Sequence, residues 1–177
     1  MKVFGELKPS VADSLHSIVT RTSGLRVSRD GKARSSTPFP KSTDLELALK
    51  PLLLADGFQH HVSLQHPRLE VGFEYDFWRE LDGMAIEVMG YRADDEVYKD
   101  ILKFHVHLGT RIGVVLVPRW KWISERRTEA NAKATLKALA FADSFLSVEA
   151  LVAIAYDWTE TEEEGVWALR HCDIEAD

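Results

Sequence analysis

Near the start of the chain, Val11, Leu15, Ile18 and Val19 recur at helical spacing behind Ser10, a residue suited to an N-cap, which predicts a helix over residues 10–21. The period then vanishes. Residues 22–42 are rich in Ser, Gly, Pro and base, and predict a long loop. A second helix, capped by Ser42 or Thr43, carries Leu45, Leu47, Leu49, Leu52, Leu53 and Leu54 and stops at Gly57, with Pro51 a point of kinking. Beyond Gly57 the period shortens to that of a strand. Phe58, His60, Val62 and Leu64 alternate, then Leu69, Val71, Phe73 and Tyr75, which predicts two strands joined at His66 and Pro67.

AIEV, Ala85 to Val88, is a short apolar run of the kind found in buried strands. Asp94 to Leu108 places Val97, Ile101, Leu102, His105 and Leu108 on a helical stripe, and RIGVVLVP follows as a β-branched run ended by Pro118. Strand, helix, strand in that order implies a parallel pair buried on both faces. Residues 128–146 predict another amphipathic helix, and EALVAIAYDW and GVWALRHC later strands. The pattern is that of one α/β domain over residues 1–177, a mixed sheet flanked by helices. No internal repeat and no second domain emerge.

Charge changes this picture more than composition does. A formal net charge of -6 argues against a nucleic-acid partner, but its distribution reverses the impression. The acidic C-terminal segment, residues 157–177, holds eight acids against one base, a local net of -7, so the rest of the chain sums to +1. Between Arg21 and Lys41 lie six bases and one acid, Asp30. RWKWISERR, residues 119–127, interleaves Trp120 and Trp122 with Arg119, Lys121, Arg126 and Arg127, a composition suited to phosphate contact and base stacking. The N-terminus, MKVFGELKPS, lacks the apolar stretch of a signal peptide, no window reaches the length of a membrane span, and the one cysteine, Cys172, forms no disulfide framework. The expectation is a cytoplasmic protein with no membrane partner.

The chemistry concentrates in EYDFWRELDGMAIEVMGYR, residues 74–92. Asp76 falls near the end of one strand and Glu87 inside the next, so a hairpin brings the two carboxylates together. An acid within AIEV is costly to bury without compensation, and a divalent cation shared with a second carboxylate supplies it. Magnesium suits such oxygen donors, with water and substrate phosphate completing its octahedron.

The acid in DFW, the short connection, AIEV, a helix through DILKF and then RIGVVLVP together resemble the PD-(D/E)xK nuclease superfamily, and within it the type II restriction endonucleases of the BamHI and BglII group. The resemblance runs from about Asp44 to Pro118. It implies a restriction-endonuclease-like fold and a magnesium-dependent DNA endonuclease, with Mn2+ as substitute ion, and it admits a homodimer, because cutting two strands usually takes two sites. Asp76 matches the first metal-binding aspartate, Glu87 the acid of the (D/E)xK element, and Glu46 the helical glutamate that many members use to hold metal. Met89 stands where the family has Lys, or in this group Glu or Gln. Some members carry the lysine on the following helix, which makes Lys103, and after it Lys99, the replacement. The resemblance thus implies catalytic roles for Asp76, Glu87 and Lys103, and metal binding by Asp76, Glu87 and Glu46. DNA contact falls to the basic segments through Arg29, Arg34, Arg119 and Lys121.

Other readings of these residues are plainer. Glu87 paired with Arg79 or Arg92 would be structural, Trp120 and Trp122 could cover a core edge, and TETEEEG reads as a solvated acidic turn or a flap shielding a basic surface. His60, His61 and His66, and His105 with His107, do not reproduce a compact zinc spacing. No Gly-rich phosphate loop and no nucleophile elbow occurs. Two alternatives to an endonuclease follow: a catalytically inactive nuclease fold that binds nucleic acid or serves in assembly, as Met89 would favour, and an unrelated α/β interaction protein.

Overall fold

The computed structural model describes residues 1–29, 38–66, 69–90, 96–123, 126–128 and 130–173. Its first strand, β1 (Lys2–Gly5), leads into helix α1 (Pro9–Thr22), whose stripe Val11, Leu15, Ile18 and Thr22 is buried. The N-cap is Lys8 rather than Ser10, because Pro9 takes the first helical position, where its missing N–H costs nothing. The segment expected to be all loop contains a strand, β2 (Arg26–Ser28), which buries Val27. Residues 30–37, the centre of that segment, lie outside the described residues.

Helix α2 (Ser42–Ala55) is capped one residue earlier than expected, at Lys41, whose backbone N–H donates to the Asp44 carboxylate at 2.8 Å. It runs through Pro51 and buries Leu45, Leu49 and Leu53, with Glu46 beside them, whereas Leu47 and Leu54 are exposed. The helix ends where Gly57 adopts a φ of 83° and the Phe58 N–H reaches back to the Leu53 carbonyl at 3.0 Å.

Strands β3 (Gln59–His66) and β4 (Leu69–Arg79) form the expected hairpin, and β4 pairs antiparallel with β5 (Met84–Val88). Helix α3 (Glu96–Val106) then crosses to β6 (Ile112–Pro118), which runs parallel to β5. Its buried stripe is Val97, Asp100, Ile101 and Phe104, while Leu102 and Leu108, assigned to that stripe by sequence, face solvent. The RWKWISERR segment holds a small hairpin, β7 (Lys121–Ile123) with β8 (Arg126–Thr128), in place of the expected extended loop. After α4 (Ala130–Asp143), strand β9 (Ala150–Glu160) runs parallel to β6, and β10 (Val166–Cys172) returns antiparallel to it.

The sheet order is β2-β10-β9-β6-β5-β4-β3. The long β9 accommodates a further neighbour: β1 pairs with its residues Ala150 to Ala153, and β10 with Ala155 to Glu160. Two cores lie on the two faces. Helices α1 and α2 pack Leu15, Leu45 and Leu49 with Ile86, Val114, Leu116 and Ile154, and helices α3 and α4 pack Phe104 and Leu139 with Ala85, Val115, Val117 and Leu151. Burial on both faces explains why β6 reads as an unbroken apolar run.

Gly113 sets how closely α3 approaches. A Cβ there would stand 2.5 Å from the Phe104 ring, so only glycine lets that ring lie directly on β6. Lys103 precedes Phe104 in the chain, and the seating of the ring therefore fixes where its amine emerges. Among the described residues no helix is long and apolar enough to cross a membrane.

Candidate metal and nucleic-acid site

Strand β5 carries Glu87 into the interior, 2% exposed, on the α3 side of the sheet with Ala85 and Met89. Asp76, half-buried on neighbouring β4, accepts a hydrogen bond from the Val88 backbone N–H at 2.7 Å, so the two acids stand on adjacent strands beside the AIEV segment. From α3, the Lys103 Nζ donates to Glu87 Oε2 at 2.6 Å and lies 3.3 Å from Asp100 Oδ1. The alternative amine, Lys99, is exposed. Glu87 Oε1 is buried, with no hydrogen-bond partner among the described residues.

The electrostatics are those of buried acids held close together. Burial pushes the Glu87 carboxyl well above its ordinary range, and the charges of Asp100 and Asp76 push it further, against the opposing effect of Lys103. Burial also raises Asp76; the Val88 amide opposes this, Glu46 adds to it, and Lys103 and His61 oppose it. The Lys103 amine is itself raised: desolvation pulls it down, but Glu87 and Asp100 outweigh that. An orphaned buried carboxylate oxygen beside a second carboxylate is what a hard divalent cation would satisfy, so the donor set fits such an ion.

Glu46 sits on α2, and its Oε1 accepts from His60 Nε2 at 2.6 Å and from His61 Nε2. These three ligand atoms lie within 4.8 Å of one another, a group that could hold a metal. The histidine spacing that sequence judged unsuited to a metal is brought together in space. Successive strand residues normally face opposite ways. Here His61 has a φ of 55°, the one positive φ outside glycine among the described residues, and both rings turn to one carboxylate. On β4, paired with this stretch, Tyr75 and Phe77, two residues apart, pack into opposite cores.

Met89 shares the face of Glu87 but does not reach toward a site. It is 2% exposed, its sulfur meets the Thr135 hydroxyl at 3.9 Å, and its carbonyl accepts from the Tyr156 hydroxyl at 2.8 Å. Arg79, offered by sequence as a structural partner of Glu87, instead forks onto Asp82 at 3.0 and 2.7 Å and lies over the Phe58 ring. Arg92 lies outside the described residues.

Two of the residues expected to contact nucleic acid, Arg29 and Arg119, stand at one end of the sheet. Val88 pairs with Leu116 and Pro118 with Tyr156, so the carboxyl ends of β5, β6 and β9 lie on the same side of the sheet. Arg119 leaves β6 at that end, its guanidinium over the Trp120 ring, and the Trp120 indole donates to Asp157 at 3.0 Å. Arg29, whose backbone N–H bonds the Gly165 carbonyl, belongs to the same end. Arg34 lies outside the described residues; Lys121 is on β7, and its side chain is likewise outside them. Two bases of the basic stretch are already paired, Arg21 with Asp56 and Arg26 with Glu163 of the acidic turn at 2.6 Å.

No protein-family model and no curated protein sequence matches the chain. Among solved structures, the chain is similar to the restriction endonuclease BglII complexed with a DNA 16-mer, at 11% identity and a TM-score of 0.55, over 97% of this chain and 89% of that one. At that identity the likeness concerns the fold, which is restriction-endonuclease-like.

Proposed function

We propose that the chain is a magnesium-dependent DNA endonuclease of the PD-(D/E)xK type. The observation that carries this reading is the convergence of Asp76, the orphaned Glu87 Oε1 and the Lys103 amine at one end of adjacent strands. Asp76 and Glu87 would hold the ion; Glu46, expected from sequence as a third carboxylate, is engaged by His60 and His61. When bound, Mg2+ polarises the scissile phosphate and lowers the pKa of water. The chain's own residues do the rest. Lys103, kept protonated by its acid neighbours, takes the place Met89 has given up: it orients the attacking water and offsets charge developing on the phosphate. Asp100 holds that amine in position. Arg29, Arg34, Arg119 and Lys121 bind the DNA backbone by neutralising phosphates.

The packing of Met89 into the core favours a second reading, a nuclease fold that binds DNA without cutting it, and one assay separates the two. Supercoiled plasmid incubated with the parent should be nicked or linearised with Mg2+ or Mn2+ and left intact in EDTA. Asp76→Asn should lose about 10³-fold in rate, the equivalent of several kcal/mol of transition-state stabilisation. DNA binding that weakens steeply with salt, without any cleavage, would establish the second reading in place of the first.

A further inference from the structure

We propose that Glu46, His60 and His61 form a binding site for a borderline divalent transition-metal ion of the Zn2+ or Co2+ class, distinct in its donors from the Asp76 and Glu87 pair. The inference goes beyond the endonuclease reading and does not rest on it.

The donor set decides the class of ion. Two imidazole nitrogens and one carboxylate oxygen suit Zn2+, Co2+ and Ni2+, whereas Mg2+ prefers oxygen alone. Ligands about 2.0 Å from one tetrahedral ion stand a little over 3 Å apart. The three donor atoms here already lie within 4.8 Å, with both Nε2 atoms turned to the same oxygen.

Two further features distinguish this group from chance hydrogen bonding. The first is the backbone. His60 and His61 are consecutive in a strand and should point apart, but the left-handed φ of 55° at His61 brings the rings together with centroids 3.9 Å apart. Such a conformation in a β-strand costs free energy, and side chains that it assembles are candidates for a functional constellation. The second is an outer partner. His61 Nδ1 lies 3.0 Å from Glu74 Oε1, a carboxylate placed to accept from Nδ1–H once an ion replaces the Nε2 proton. Three protein ligands leave positions open on the ion, as in sites that bind water or a substrate oxygen. His60 is largely buried and His61 half exposed, so the open side faces solvent.

The test uses the full chain stripped with EDTA and loaded with one equivalent of Co2+. The parent should show two exchangeable imidazole N–H proton signals shifted outside the diamagnetic range, one for each histidine. Equimolar Zn2+ should abolish them and millimolar Mg2+ should not. His60→Gln and His61→Asn should each remove one signal and weaken Co2+ binding by at least about 100-fold, Asn being a residue that tolerates the left-handed backbone. Glu74→Gln should weaken binding by about 10–100-fold, the usual effect of losing an outer carboxylate. The double variant Asp76→Asn, Glu87→Gln should keep both signals even where cleavage is lost, which separates this site from the proposed magnesium site. Absence of shifted imidazole signals in the parent would overturn the assignment whatever the variants do. So would signals that survive both histidine substitutions, or that vanish only in the Asp76, Glu87 double variant.

Discussion

On the proposed endonuclease reading, Glu87→Gln should abolish Mg2+-dependent cleavage, by about 10³-fold or more, and it should make the metal-free protein more stable near neutral pH. The two effects have one cause. Glu87 is a buried acid whose carboxyl is held well above its ordinary range first by burial and then by Asp100 and Asp76. The folded protein therefore holds this proton to a higher pH than the unfolded chain, which ionises near the ordinary value of 4.5. Stability from this group is fully present below that value and is withdrawn as pH rises through the raised folded value. The neutral amide keeps the shape and escapes the withdrawal. Urea denaturation in EDTA should show the variant above the parent at pH 7 to 8, with the difference shrinking to nothing on acidification below the ordinary glutamate range. A variant that is destabilised at every pH would mean that the ion pair with Lys103 outweighs the burial of the charge.

Lys103→Met destabilises the metal-free protein by about 3–5 kcal/mol at pH 8, because removing one member of a buried pair leaves the other uncompensated. Here the loss is sharpened by the company Glu87 keeps: the charges of Asp76 and Asp100 remain while the amine that opposed them is gone. The raised pKa of Lys103 gives the same sign from the other side, since its contribution is present below its ordinary value of 10.5 and lost as pH rises through the folded one. On acidification the defect should shrink, as Glu87 takes up a proton and no longer needs a cation. Adding Glu87→Gln to Lys103→Met should restore most of the lost stability, and the double-mutant cycle then isolates the pair. Single and double variants equally unstable would show that the lysine stem, rather than its charge, holds α3 in place.

Sequence made the centre of this arrangement legible and its margins less so. The AIEV run and the strand, helix, strand order emerge from hydrophobic period, because strands buried on both faces leave a strong signal; Asp76 and Glu87 stand out by their place on those strands and by the resemblance to the nuclease superfamily. Lys103, ahead of Lys99, follows from the resemblance; in the structure the seating of Phe104 on Gly113 sets where the Lys103 amine emerges, and it reaches Glu87. The short strands β1 and β2 escape detection because three or four residues carry no usable period, and each is held by pairing with a distant strand, β9 or β10. The Glu46, His60, His61 group was hidden for a different reason. Alternation assigns consecutive residues to opposite faces, and only a reversed backbone angle at His61 defeats that rule. Met89 raised the correct question about the missing lysine; its place in the core against Thr135 depends on where α4 packs, which period does not specify.

The central claim is that Asp76 and Glu87 share a divalent ion. A crystal of the parent protein soaked in Mn2+ and measured at the manganese absorption edge tests it most directly. The account predicts an anomalous peak bonded to Asp76 and to Glu87 Oε1, with Lys103 still on the Oε2 side. Saturating Mn2+ that leaves both carboxylates without an ion, with the Lys103–Glu87 pair undisturbed, would contradict it.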